Sequence, residues 1–280
     1  MRAVRFHAHG GPEVLKLEEI PEPRIAQNQV LVRIKACALN HLDLWLRKGL
    51  PGVKVPLPHI PGCDIAGEVA AVGELCTRVK VGEPVVISPG RSCGQCARCL
   101  EGRDSLCPSY QIIGGYGLDG GYTDLIAVPE VNVLPLPKGL DFVRAAAFPL
   151  TFLTAWNMLV TLGNVRPGQT VLVMGAGSGV GVAALQIAKL FGATVIAAAS
   201  TSEKLAKAQD LGADHGINYR DQSIGQEVKR LTERRGVDII FEHVGGETWK
   251  ELIPILAADG TLVTCGATSG PIAATDIRYL

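Results

Sequence analysis

Neither sign of charge dominates this chain. Its 280 residues carry 27 basic and 27 acidic side chains with no block of like charge, so the electrostatic footprint of a nucleic-acid binder is missing. No apolar run is long enough to cross a bilayer, and no charged leader followed by an apolar segment opens the sequence. The nearest approach is Ala145 to Leu162, which Arg144, Asn157 and Gly163 punctuate, so it reads as a loop feeding a core helix. Internal repeats and low-complexity tracts are absent as well. These absences exclude nucleic-acid and membrane partners. What is present is 47% hydrophobic residues in a chain with room for two ordinary domains.

Disulfide pairing has no signature either. Cys37, Cys63, Cys76 and Cys265 are scattered among apolar residues and read as buried free thiols. The other four cysteines, Cys93, Cys96, Cys99 and Cys107, are spaced CxxCxxCxxxxxxxC in a stretch rich in turn formers. Three thiols at two-residue intervals close on one ion with little strain. The fourth arrives after a short loop and completes the four sulfurs of a tetrahedral structural zinc, one per chain, in a lobe at about residues 90–110. An iron–sulfur run, suggested by Pro108 after Cys107, needs three residues rather than seven before its last cysteine. A compact metal cluster beside unpaired thiols suits a reducing compartment, and the expected location is the cytoplasm.

The two halves follow different grammars. Residues 1–150 alternate short apolar segments (Val30 to Leu39, Gly67 to Val72, Val85 to Ser88, Tyr122 to Val128) with Gly and Pro breakers. This predicts a compact, mostly antiparallel β domain with little helix and the cysteine loop as an excursion. From Thr151 the pattern becomes strand and helix in alternation. Val171 to Met174, Val195 to Ala198, Val237 to Phe241 and Leu262 to Thr264 are short apolar strands. Between them Val180, Ala183, Ala184, Ile187 and Leu190, and then Ile224, Val228 and Leu231, keep helical spacing. Residues 151–280 are therefore expected to form an α/β domain with crossover helices on a parallel sheet.

The first crossover carries chemistry. Val171 to Met174 runs into Gly175, Ala176, Gly177, Ser178, Gly179, Val180 and Gly181, and an amphipathic helix follows. Glycines there let the backbone approach a pyrophosphate, whose charge meets the exposed N–H groups at the helix start. The spacing departs from strict GxGxxG, since Ala176 and Ser178 fill two of its positions when Gly181 is taken as the last glycine. The strand–turn–helix context still points to a dinucleotide. At the end of the second strand no carboxylate stands at Ala199, whereas Ser200, Thr201 and Lys204 can meet a 2′-phosphate, which favours NADP(H). Glu203 keeps NAD(H) open.

Together these segments resemble the medium-chain dehydrogenase/reductase superfamily, the zinc-containing alcohol dehydrogenases and quinone oxidoreductases. The likeness lies in Met1 to Leu17 with Gly10-Gly11-Pro12, in Pro61 to Val69, in the four-cysteine lobe, in Gly175 to Gly181 and in Leu211 to Asp214. The resemblance implies a GroES-like catalytic domain beside a doubly wound Rossmann domain, with the active site in the cleft between them. It also implies that relatives continue past Leu280 with a strand used to pair subunits and a return segment. The Rossmann domain is thus expected to be C-terminally truncated, and the family's usual homo-oligomer to lack its dimer strand.

Where alcohol dehydrogenases hold a catalytic zinc, the resemblance fails. Asn40 falls where the first catalytic cysteine would be, Cys63 where there is a histidine, Asp64 where there is a glutamate, and Leu150 where there is the last cysteine. Asn40 and Leu150 are poor zinc ligands. Leu39-Asn40 looks instead like the quinone oxidoreductase and enoyl reductase branch. Without metal, a substrate carbonyl must be polarised by hydrogen-bond donors while the cofactor supplies hydride. Asn40 can donate through its amide and His41 can act as acid, with Asp43 or Asp64 orienting neighbours. His41 reads equally as a packed or exposed histidine of an apolar strand, and Asp64 as a turn cap after Pro61-Gly62. The expected activity is hydride transfer to or from a carbonyl, enone, quinone or alcohol of a small molecule. Two other readings stay open: a zinc-dependent alcohol dehydrogenase using His41, His59, Cys63 and Asp64, and a non-catalytic dinucleotide-binding protein.

Overall fold

The computed structural model describes residues 1–276 and Arg278. The chain separates into two compact units, Met1–Leu150 and Thr151–Leu280. The expected incomplete ending at Leu280 falls outside the described residues.

In the first unit five strands form an antiparallel sheet: β1 (Gln29–Ala38), β2 (Asp64–Val72), β3 (Pro84–Ile87), β4 (Leu125–Pro129) and β5 (Val133–Pro135), in the spatial order β5-β3-β2-β1-β4. Alternation along β1 explains its orientation. Val30 and Val32 are buried while Arg33 and Lys35 are exposed, so one face meets the core and the other meets water. Ile65, Val69, Val85, Ile87, Ile126, Val128 and Val133 complete that core. Each such side chain contributes about 1.5–3 kcal/mol by leaving water. A hairpin of Arg2–Arg5 with Lys16–Glu19 lies outside the five-stranded sheet.

The expectation of little helix in this unit needs correction at His41–Lys48, and two shorter helices, Ala97–Leu100 and Phe142–Ala146, lie in it as well. His41 does not lie in a strand; it opens helix α1 (His41–Lys48). Asn40 and Asp43 are the local cause, because the Asp43 carboxylate accepts the Asn40 main-chain N–H at 2.7 Å and satisfies the helix start. The cysteine loop is an excursion framed by a small sheet of Gly90–Arg91, Gln111–Ile113 and Gly117–Leu118.

The second unit is a five-stranded parallel sheet: β6 (Thr170–Val173), β7 (Thr194–Ala199), β8 (His215–Asn218), β9 (Val237–Glu242) and β10 (Leu256–Thr264), in the order β8-β7-β6-β9-β10. Successive residues serve opposite faces. Val171, Val173, Val195, Ala197, Ile239 and Phe241 pack with Ala183, Ala184 and Ile187 of α2 (Gly179–Leu190) and Leu205 and Ala208 of α3 (Ser202–Asp210). Leu172, Met174, Ile196, Ile217 and Ile240 pack with Ile224 and Val228 of α4 (Ile224–Leu231) and Leu252 of α5 (Gly246–Leu252). Helices on both faces explain why these strands read as unbroken apolar runs. The Ala145 to Leu162 stretch is more helical than its punctuation suggests. Pro149–Trp156 is α-helix and continues as a π-helical turn over Asn157–Leu162, so Asn157 widens the helix rather than breaking it. Among the described residues, no helix is long and apolar enough to cross a membrane.

Candidate active site and metal centre

Asn40 stands at the junction of β1 and α1, and Asp64 at the first position of β2, which pairs with Ala38 of β1. That register brings the two side chains together: Asn40 Nδ2 donates to Asp64 Oδ2 at 2.8 Å. The other oxygen, Asp64 Oδ1, accepts the Leu150 main-chain N–H at 2.7 Å. Asp64 is only 1% exposed, and burial pushes its pKa up to about 6. The Asn40 amide and the Leu150 N–H resist that rise, and the nearby Asp43 carboxylate adds to it.

Asp43 bridges two segments, because Oδ2 holds the Asn40 N–H and Oδ1 accepts the Gly62 N–H at 2.9 Å. Burial raises its pKa against those two bonds. Gly62 has φ +101°, and a Cβ there would lie 2.5 Å from Tyr122 Cδ1 and 2.8 Å from Cys37 Sγ, so only glycine fits. The Tyr122 hydroxyl is buried and close enough to Asp43 to affect its ionisation, yet it completes no hydrogen bond of ordinary geometry. Burial pushes the Cys37 thiol up to about 12 and the Cys63 thiol higher still, with the Asp43 and Asp64 carboxylates adding to both. His41 is exposed, and its ring lies 6.0 Å from that of Trp45. His59 is buried 3.4 Å from the Gly114 carbonyl oxygen through Nε2 and 3.5 Å from Asp119 through Nδ1. The structure does not gather His41, His59, Cys63 and Asp64 into a ligand cluster.

The cysteine lobe is different. The sulfurs of Cys93, Cys96, Cys99 and Cys107 lie within 4.8 Å of one another, with Cys96–Cys99 at 3.5 Å and Cys93–Cys99 at 3.9 Å. Four thiolates around zinc at ordinary bond length lie about 3.8 Å apart. The donor set and spacing therefore fit zinc. The backbone N–H groups of Gln95 and then Cys96 hold the Cys93 thiol well below its usual value, at about 6, which prepares it as a thiolate.

At the glycine-rich turn, Ser178 is the N-cap of α2: its Oγ accepts the Gly181 N–H at 3.0 Å. A Cβ at Gly181 would fall 2.4 Å from the Gly175 carbonyl oxygen, so this glycine lets helix and strand close together. The main-chain N–H groups of Gly179 and Val180 lie at the helix start, where an anion is favoured. Past β7, Thr201 caps α3 by accepting the Lys204 N–H at 3.3 Å, and Lys204 Nζ lies 3.4 Å from Ser200 Oγ. The Lys204 stem runs over the turn, 2.9 Å from where a Cβ on Gly177 would be. Glu203 points elsewhere and pairs with Lys207 at 2.8 Å.

The same parts occur in known proteins. Residues 26–138 match the Alcohol dehydrogenase GroES-like domain, and residues 179–280 match Zinc-binding dehydrogenase. A quinone oxidoreductase of Homo sapiens is 31% identical over 95% of this chain and 73% of its own length. The chain belongs to the medium-chain dehydrogenase/reductase superfamily. It is also similar to an NAD-dependent alcohol dehydrogenase of Sulfurisphaera tokodaii, 33% identical over 100% of this chain and 80% of the relative. A solved structure of an NAD-dependent alcohol dehydrogenase aligns with TM-score 0.96 and 49% identity, covering 100% of this chain and 81% of the other. As a member of this superfamily the protein is an oxidoreductase, and membership implies a nicotinamide cofactor.

Within this medium-chain dehydrogenase/reductase architecture, Asn40 meets Asp43 through its main chain and Asp64 through its side chain, while His41 lies exposed at the helix start. Ser200, Thr201 and Lys204 form one polar group. Sequence reasoning missed Gly62, Tyr122 and His243. The pattern Pro61-Gly62 after a histidine-containing loop marks a turn. Nothing local ties His243 to Ser178, which precedes it by 65 residues.

Proposed function

We propose that this protein is an NADPH-preferring oxidoreductase that reduces the carbonyl or activated alkene of a small quinone- or enone-type substrate, with one structural zinc and no catalytic zinc. The first unit is its catalytic domain and the second its dinucleotide-binding domain. The observation that carries the reading is the Asn40–Asp64 pair: the position a zinc-ligating cysteine would fill is an amide donor locked to a buried carboxylate.

Bound NADPH would supply a hydride to the electrophilic carbon of the substrate. Asn40 Nδ2 carries two protons, gives one to Asp64, and offers the other to the substrate oxygen. Asp43 fixes the main chain on both sides of this donor by holding Asn40 and Gly62. His41, exposed at the helix start, or water delivers the proton that completes the reduction. Gly175 to Gly181 receive the diphosphate, and Ser200, Thr201 and Lys204 receive the 2′-phosphate, with Glu203 drawn away to Lys207. Cys93, Cys96, Cys99 and Cys107 hold zinc that ties their loop. A zinc-holding cluster beside four further cysteines outside any disulfide suits a reducing, cytoplasmic setting.

A second reading has its own support, because the solved relative at 49% identity and the Sulfurisphaera relative both carry the name NAD-dependent alcohol dehydrogenase. Titration with both cofactors, followed by turnover assays on enones, quinones and alcohols, separates the two. Tighter NADPH binding with enone or quinone reduction supports the proposal. Tighter NADH binding with alcohol oxidation replaces it with the second reading.

A further inference from the structure

The four sulfurs of the cysteine lobe are unevenly covered. Cys93 is exposed, Cys96 and Cys99 are half-buried, and Cys107 is buried. Cys93 lies outside helix and strand, after Gly90–Arg91 and before Gly94. A Cβ built on Gly94 or on Gly102 meets no described residue within 4 Å, so the surface around the loop is open to solvent. Cys96 and Cys99 instead share one helical turn. The Leu100 N–H donates to the Cys96 carbonyl at 3.0 Å, and the Gly102 N–H to the Cys99 carbonyl at 3.0 Å. The Cys93 N–H donates to Cys107 Sγ at 3.4 Å and keeps its loop against the cluster.

The solvent-facing sulfur contact is that of Cys93 with Cys99, at 3.9 Å, whereas the Cys96–Cys99 contact at 3.5 Å is partly buried. Four sulfurs around one zinc ion stand about 3.8 Å apart, so the Cys93–Cys99 contact is also that of the metal-bound lobe. A sulfur that ligates a metal has already lost its proton, and the thiolate is the form that attacks an oxidant. Exposure selects Cys93 as the sulfur an oxidant meets first. Its contact with Cys99 supplies the second sulfur that turns such an oxidation into a disulfide.

We propose that Cys93 is a peroxide-reactive modification site with Cys99 as its resolving thiol, and that the disulfide between them releases the zinc. The inference rests on the reading of the lobe as a zinc site. The Cys93 sulfur attacks one oxygen of hydrogen peroxide, the O–O bond breaks and hydroxide leaves, which makes Cys93 a sulfenic acid. The Cys99 thiolate then attacks that sulfur. The S–O bond breaks, a second hydroxide leaves and the S–S bond forms. Each sulfur gives up one electron, the peroxide takes both, and two protons from solvent turn the hydroxides into water. Cys96 and Cys107 alone do not close a tetrahedral site, so the ion leaves and the 90–110 loop loosens.

Hydrogen peroxide added to the zinc-loaded protein tests this. A zinc-binding dye reads the released ion, and peptide mass spectrometry after an acid quench and alkylation reads the first disulfide formed. Zinc release in step with a Cys93–Cys99 disulfide, one ion for each, is expected, with zinc taken up again after reduction by dithiothreitol. Cys265, the other exposed cysteine, belongs to the second unit, so Cys265→Ser should release zinc at an unchanged rate. Zinc that stays bound while Cys265 is oxidised would overturn the proposal. So would a first disulfide joining any other pair, a Cys93 carried on to the sulfinic acid without a disulfide, or slower release in Cys265→Ser. A protein that takes up no zinc would overturn the reading of the lobe and this inference with it.

Discussion

Asp64 gives the first unit a pH dependence of unusual sign. In the unfolded chain its carboxyl loses its proton near pH 4, whereas in the folded protein it keeps it to about pH 6. Between those values the folded state binds more protons than the unfolded one, so Asp64 lowers stability as pH rises through that window. The effect is absent below about pH 4 and complete above about pH 6–7. A shift from 3.8 to about 6 corresponds to about 3 kcal/mol. Asp64→Asn keeps the shape, can still accept the Leu150 N–H, and does not titrate. Relative to the unaltered protein, the variant should therefore gain about 3 kcal/mol between pH 4 and pH 7. Hydrogen exchange of the amides in β2, corrected for intrinsic rates, reads the opening of this unit without assuming that both units unfold together. A carbon-13 NMR titration of the Asp64 carboxyl reads the pKa itself. Asn40→Ala should raise that pKa by roughly one more unit, since it removes a hydrogen bond to the charged form. An Asp64 that titrates near 4, or a stability difference that is flat across pH 4–7, would refute the reasoning.

Cys96→Ser should release zinc and expose the 90–110 loop to proteolysis while leaving NADPH binding intact; full zinc content in the variant would show that the four sulfurs do not form the site. Ala199→Asp should lower the ratio of NADPH to NADH affinity at least several-fold, because a carboxylate repels a 2′-phosphate and accepts from ribose hydroxyls; an unchanged ratio in binding titrations would place the adenosine end elsewhere. Gly181→Ala drives a methyl to 2.4 Å from the Gly175 carbonyl oxygen and should cost about 1–3 kcal/mol in the second unit, read as earlier hydrogen exchange in α2. Unchanged protection there would mean that helix and strand can separate freely.

What could be read from the sequence was local. The spacing of Cys93, Cys96, Cys99 and Cys107 is a property of fifteen consecutive residues, and their sulfurs do gather. Ser178 and Thr201 were read as cofactor contacts, and the structure adds that each caps the helix it precedes by accepting a main-chain N–H. Apolar runs located four of the five described parallel strands because both faces of that sheet are covered, whereas the edge strand His215–Asn218, with His215, Gly216 and Asn218 in it, shows no such run. The start of β10 at Leu256 was hidden, since Asp259 and Gly260 look like a turn; Asp259 takes φ +63° and the strand continues past it. His41 looked like part of a strand because apolar residues surround it, and the Asp43 carboxylate that starts the helix acts only once the main chain has turned. Contacts made across the sheet left no local trace: Asp64 with Leu150, Gly62 against Tyr122, and Ser178 with His243 each join residues far apart in the chain.

The most direct test of hydride transfer without a catalytic metal is to count zinc on a preparation that is turning over an enone or ortho-quinone with NADPH. The account predicts one zinc per chain, lost when Cys96 is replaced, in a protein that reduces these substrates. Two zinc ions per chain, with turnover that falls as the second is removed, would contradict it.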